Sequence, residues 1–479
     1  MTAPDLLGDV LPAHAPRRRA GTATIAAIGV SAALVMGTGA FAAASLSGGG
    51  PQPEDVLPAG AIGFVKLDLD PSATQKERVY GLTTRFPLAA KELRSADTLR
   101  EDLLRLAFDD SGTELDYDTD VAPWIGDRVG VAFLAADGDE PDVVVAVAHT
   151  DAGKARTALA KAAEEEDLAF TVLDDYALLG EDQAVVDAAA GAEDHLADDE
   201  GFTEAVDALD GDQVALAWAD LGRVWDALPA DLREQAEDGL DPTGQVVVGV
   251  HALDDAIEVV GRTLGVKSNL PDDDGDGSPG TGLAGQLPAQ AIAALAAAGL
   301  DQSVEQAYDA FVTGAETVVP DLEAQAAELG LTLPDDITTV LGDEAGIAVW
   351  GDQKAPEVLA RTRTDDAKGA REVIARVLDA TGTGQDVDDV VQSLDDGIAI
   401  GTPGGLDALN GKGLRDRAEF TAAAPDAQDA AFVLWVSIQD ALELTGLDEP
   451  DAEPLDALGL TVSARSGGDV ELRLRVTLR

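Results

Sequence analysis

The chain has four histidines, His14, His149, His195 and His251, and no cysteine. No HExxH or GxSxG pattern occurs, and no two histidines stand at i,i+4. The absence of cysteine excludes disulfides, Cys-zinc sites and thiol nucleophiles. Asp272, Asp274 and Asp276, followed by Gly277, match the opening of a calcium loop. Such a loop needs a bidentate Glu at position 12, where this chain has Leu283, and Pro279 interrupts it. These three aspartates are a weak calcium candidate, and a solvated linker is the preferred reading. Gly404, Gly405 and Gly411-Lys412-Gly413 nearly form a phosphate loop, but Leu406 replaces the first Gly and Gly413 the final Ser/Thr. Asp and Glu total 91 against 32 Lys and Arg. Carboxylates are so abundant that pairing two of them as acid and base carries no information. The net charge of −59 argues against phosphate-backbone binding, which requires Lys and Arg to displace counterions. No catalytic or cofactor-binding residue is assigned, and no cofactor is expected.

The most specific local pattern is at the N-terminus. Arg17, Arg18 and Arg19 form a basic cluster, and no charged residue follows until Glu54. Within that gap, Ala20–Leu46 is apolar or small, and a bilayer core needs about 20 such residues as helix. The positive-inside rule keeps the arginines cytoplasmic and places the rest of the chain outside. An uncleaved signal anchor competes with a cleavable signal peptide, for which Ala42 and Ala44 fit the small-x-small pattern. The apolar run exceeds a usual signal-peptide h-region and the leading tail is long, so the anchor is preferred.

Behind the anchor the pattern is that of a globular chain, with 46% hydrophobic residues. Strand-like runs fall at 61–70, 129–135, 143–149, 170–173, 176–179, 214–220, 246–252 and 256–264, and Asp151 should cap a helix over 151–166. Residues 271–282 lack periodicity and read as an exposed linker. Then the same order begins again. Ile125-Gly126-Asp127 recurs as Leu341-Gly342-Asp343. Thr150-Asp151 recurs as Thr364-Asp365. Leu196, Asp198 and Phe202 recur as Leu414, Asp416 and Phe420, and Trp218 recurs as Trp435. Collinear matches at a near-constant offset indicate an internal duplication.

The duplication also decides an ambiguous segment. Ala-rich 292–300 looks helical by composition, yet its counterpart after Leu57-Pro58-Ala59-Gly60 alternates like a strand. A strand is therefore expected. At the C-terminus, Val470, Leu472, Leu474, Val476 and Leu478 alternate with Glu471, Arg473, Arg475 and Thr477, the pattern of a half-buried antiparallel strand. Gly126 and Gly342 are expected in equivalent tight turns. Val304, Tyr308, Phe311, Val312 and Val319 are expected to cover the sheet, with a lipid or peptide groove as the other reading.

The stretches around Leu57-Pro58, Ile125-Gly126-Asp127-Arg128 and Leu196-Ala197-Asp198-Asp199 resemble the actinobacterial family catalogued as domain of unknown function thirty-three fifty-two. The resemblance runs from about Leu57 to the end. It implies an N-terminal membrane segment and an exported region, and it implies no activity.

The expected fold class is α+β: an N-terminal transmembrane helix, then two tandem homologous units. Each unit is a mainly antiparallel sheet with helices packed on one face. The expected organisation is a cytoplasmic tail 1–19, a transmembrane helix 20–46, a spacer 47–56, repeat 1 over 57–267, an acidic linker 268–286 and repeat 2 over 287–479. The expected role is non-enzymatic binding, scaffolding or sensing at the outer face of the plasma membrane. The expected partners are the membrane, through the N-terminal helix, and an unidentified envelope protein, with no nucleic acid. A carboxylate-based exported hydrolase and a carrier of an apolar ligand are the alternatives.

Overall fold

The computed structural model describes residues 50–479 apart from short stretches, the longest being 106–115, 234–242 and 267–279. The expected membrane segment with Arg17–Arg19 lies outside the described residues, as do Asp272, Asp274 and Asp276. Among the described residues, no helix is long and apolar enough to cross a membrane.

The chain divides into two compact units, Met1–Glu77 with Glu92–Thr203, and Arg78–Lys91 with Glu204–Arg479. Unit 1 holds β1 (Ala61–Asp68), β2 (Ile125–Leu134), β3 (Asp142–His149), β4 (Ala169–Val172) and β5 (Tyr176–Gly180). They lie in the order β4-β5-β3-β2-β1, antiparallel throughout. The register aligns Val65, Val131, Val145, Leu179 and Phe170 in one row across the sheet. Runs such as Asp142–His149 have apolar residues on both alternate sets, as a strand covered on both faces requires. Helix α1 (Ala152–Glu165) starts where Asp151 accepts the N–H groups of Gly153 and Lys154, both at 3.0 Å. Its buried Ala155, Leu159 and Ala162 form one stripe at helical spacing. Helix α2 (Gln183–Ala190) buries Val186 and Ala189.

Unit 2 holds β6 (Ala215–Asp220), β7 (Gln245–Ala252), β8 (Ala256–Leu264), β9 (Ala293–Ala298), β10 (Glu344–Asp352), β11 (Ala355–Arg363), β12 (Val391–Leu394), β13 (Gly397–Gly401), β14 (Phe432–Ser437), β15 (Leu455–Ala464) and β16 (Val470–Leu478). The order is β12-β13-β11-β10-β9-β14-β15-β16-β8-β7-β6, with antiparallel pairing throughout. Its helices include α3 (Leu221–Ala227), α4 (Leu300–Gly314), α5 (Val319–Glu328), α6 (Asp335–Leu341), α7 (Ala367–Thr381), α8 (Ala418–Ala423) and α9 (Ile438–Thr445).

The run β12-β13-β11-β10-β9 repeats the order β4-β5-β3-β2-β1 of unit 1. Each copy also carries the same isolated bridge. Leu196 N–H donates to Leu57 O at 2.8 Å beside the Pro58–His195 bridge, and Leu414 N–H donates to Leu287 O at 2.8 Å beside Pro288–Gly413. The Ala-rich segment is strand β9, because its small side chains let Trp435 and Phe420 pack over Ala294 and Ala296.

Three expectations need correction. Helices lie on both faces of the unit 2 sheet. One cluster joins Phe420 and Ala423 of α8 to Trp435, Ala296 and Ala348, whose side chains share one face by register. Another joins Ala370 and Ile374 of α7 and Val340 of α6 to Ile398 and Ile400, which point to the opposite face. Gly126 is a strand residue at a break in the β2–β3 register, where an added Cβ would strike the Ala148 backbone. Gly342 caps α6 with φ +61°, so the two glycines answer different needs. The described end of the acidic stretch is packed rather than exposed. Thr281 is fully buried, its N–H on Ala430 O and its hydroxyl on Ala427 O, both at 2.8 Å.

Candidate functional site in the unit 2 sheet

Strands β8 and β16 are the last strands of the two sequence repeats, and they pair antiparallel. Glu258 stands opposite Arg475, and Arg262 stands opposite Glu471. Glu258 and Arg262 are to β8 what Glu471 and Arg475 are to β16, so the seam carries a local two-fold relation. Val260 and Arg473 face one another at its centre. Glu258 and Glu471 are buried, at 5% and 3% exposure. Arg475 Nε donates to Glu258 at 2.8 Å and Arg262 Nε to Glu471 at 2.8 Å. Arg473 reaches both acids, at 3.1 Å to Glu258 and 3.0 Å to Glu471, and Arg465 adds a contact to Glu471 at 2.6 Å.

Burial pushes the Glu471 carboxyl up, but hydrogen bonds from Arg465 and Arg473 and the nearby guanidinium charges outweigh it. The group titrates below its ordinary range. Both acids of the ladder are satisfied by forked guanidinium donors, which suit carboxylates. Arg475 also donates to Ala422 O of α8, so the ladder lies on the helix-covered face.

A second buried acid behaves differently. Glu344, at the start of β10, accepts Leu283 N–H at 2.5 Å and pairs with Arg363. Burial raises its titration, and those two partners only partly offset the rise. Its neighbour Asp343 is also raised, by burial and then by the charge of Asp301. A third cluster centres on Arg417. It pairs with Glu419 and Asp440, donates to Ala291 O at 2.8 Å and lies 4.9 Å from the Trp435 ring centroid. In all three clusters the carboxylates are held by arginine or backbone N–H, an arrangement that fixes strands and loops.

The opposite face of the same strands is aliphatic. The register aligns Ile347, Leu295, Leu434, Leu460, Leu474 and Val259 in one row from β10 to β8. Ile347 is 42% exposed and Leu295 38%, and the other four are half-buried. The adjacent rows contain Val349 and Leu472, each 38% exposed. The predicted polarity of β16 is thus inverted. Glu471 is buried and Leu472 is exposed, because α8 covers the Glu/Arg side.

The residues singled out from sequence do not converge. His149 Nε2 lies 3.1 Å from Leu173 O, His195 belongs to the Pro58 bridge, and His251 is buried on β7. Gly404 and Gly405 lie in a short helix, Pro403–Asp407. Val304 and Tyr308 are half-buried on α4, with the Tyr308 hydroxyl donating to Glu323 at 2.8 Å. The side chains of Phe311, Val312 and Val319 lie outside the description. Among the described residues, no group of three His, Asp or Glu is placed to hold a metal ion. Sequence reasoning missed the ladder, although a signal was present: Glu258-x-x-x-Arg262 recurs as Glu471-x-x-x-Arg475.

The chain belongs to the family described as Protein of unknown function (DUF3352), whose model matches residues 20–176 and 160–386. The double match and the repeated strand order support an internal duplication. No curated protein matches the chain.

Proposed function

We propose that this chain is a single-pass, membrane-anchored extracytoplasmic protein of an actinobacterial-type cell envelope. It is built from two tandem homologous α+β units and acts as a non-catalytic binding, scaffolding or sensing module. The observation that carries the reading is the Arg17–Arg19 cluster followed by the uncharged run Ala20–Leu46. The non-catalytic part is supported by the buried acids. Glu258, Glu471 and Glu344 all give their oxygens to arginine or backbone donors. A hydrolase of the carboxylate type would instead need two convergent acids with unlike titration at an open cleft.

The test is topology. Protease added to spheroplasts carrying the full chain should digest the region beyond Leu46 and leave a short membrane-embedded fragment. Full protection of that region in intact spheroplasts, with digestion after lysis, would overturn the reading.

A further inference from the structure

We propose that the open aliphatic face of the unit 2 sheet binds the acyl chain of a membrane phospholipid; the inference rests on the anchored reading above. In the rows through Ala345, Ile347 and Val349, side chains on this face are apolar from β10 to β8, while the same strands keep Glu258, Glu471, Arg473 and Arg475 on the other face. A polar ligand finds no hydrogen-bond partner among these side chains, so the face selects for hydrocarbon. Aliphatic patches of this extent mark an interaction surface.

Charge decides against a second copy as the occupant. Two chains of −59 stacked through this face would bring like charges together, whereas an acyl chain is neutral. The size of the face also suits lipid. The row from Ile347 to Val259 crosses six strands, about 24 Å at ~4.8 Å per strand, against ~15 Å for one leaflet of a bilayer core. One extended chain can lie along it. Ala370, Ile374 and Ile398 close the neighbouring part of the face over β13 and supply an apolar rim. A membrane anchor at 20–46 keeps the protein beside a large reservoir of phospholipid.

The test uses the full chain reconstituted in phosphatidylcholine vesicles in which one acyl chain ends in a diazirine. After irradiation, labelled peptides are mapped. Label is expected on peptides from β9, β14, β15 and β16 as well as on residues 20–46. Leu434→Asp and Leu460→Asp put a carboxylate in the middle of the row without touching the buried face. Each should reduce strand labelling about tenfold and leave labelling of residues 20–46 unchanged. Label on residues 20–46 alone would sustain the anchor and overturn the lipid face. Label on the strands alone would sustain the face and overturn the anchor. The chain has no cysteine, so Leu434→Cys offers one thiol; its oxidation to a covalent dimer in the vesicles would overturn the proposal in favour of a second copy.

Discussion

Val131 and Ile347 stand six residues after Ile125 and Leu341, in the matching segments around Gly126-Asp127 and Gly342-Asp343. Each lies in the second strand of its five-strand run, facing a first-strand residue, Val65 or Leu295, and a third-strand residue, Val145 or Ala360. Val131 is 7% exposed and Val145 is fully buried, whereas Ile347 is 42% exposed. The strands agree; the cover differs. Between β1 and β2 the chain buries Leu104, Tyr117 and Val121. Between β9 and β10, Ala326 is the one buried apolar residue among those described, and α6 buries none. The strand frame is the same in both copies, and the exposure of the equivalent face is not.

The sharpest way to break this comparison is to charge the two equivalent positions. Val131→Asp places an unpaired carboxylate in a covered face and should cost about 3 kcal/mol or more. Ile347→Asp should change stability by about 0.5 kcal/mol, as surface substitutions do. Urea unfolding of the full chain, followed by circular dichroism, measures both. Equal losses would mean that the Ile347 face is covered after all.

The two buried acids of unit 2 give a smaller, pH-dependent contrast. Glu471→Gln strips Arg262, Arg465 and Arg473 of a shared charged partner and should cost about 3 kcal/mol at pH 7. Because the folded Glu471 titrates below its ordinary range, its contribution is present above that ordinary value. It is lost as the pH falls through the lowered one. Glu344 has the opposite sign. Its folded form holds its proton more tightly than the unfolded chain, so its contribution is complete below the ordinary value. It is lost as the pH rises through the raised one. Glu344→Gln should therefore cost less at pH 7, about 1 kcal/mol, and should remove stabilisation that the wild type gains on acidification from neutral pH. Urea midpoints at about pH 3, 5 and 7 decide between the two signs: the Glu344 contribution changes between the upper two, that of Glu471 between the lower two.

The smallest expected effect concerns overall charge. Raising sodium chloride from low to physiological levels should increase the melting temperature by a few degrees, since self-repulsion among 91 acids is screened within about 10 Å at 0.1 M. A flat or falling melting temperature would show that the arginine ladders, which salt weakens, outweigh the repulsion.

Much of the frame was legible in the residues. The repeat fixed β9 against its own helix propensity, and Asp151 marked the start of α1. The ladder was half legible, since the Glu-x-x-x-Arg spacing recurs, but only the antiparallel register puts Glu258 opposite Arg475. The exposed Leu472 was not legible. Alternation says that two sets of side chains part to opposite faces, and polarity alone then assigns the leucines to the interior.

Local sequence determined which residues are strands, where the repeat lies, and which side chains share a face, because backbone sterics and a period of two act within a few residues. Which of those faces became the interior was decided only in the tertiary structure. Helix α8 packs against the small side chains of β9 and against Gly459 of β15, where an added Cβ would strike Ala423 O. That close approach buries the Glu/Arg set. Arginines arriving from β8, β16 and Arg465 satisfy its charges, and the larger leucines and valines are left facing outward. Burial depends on what lies above a strand, and no stretch of the strand's own residues encodes that.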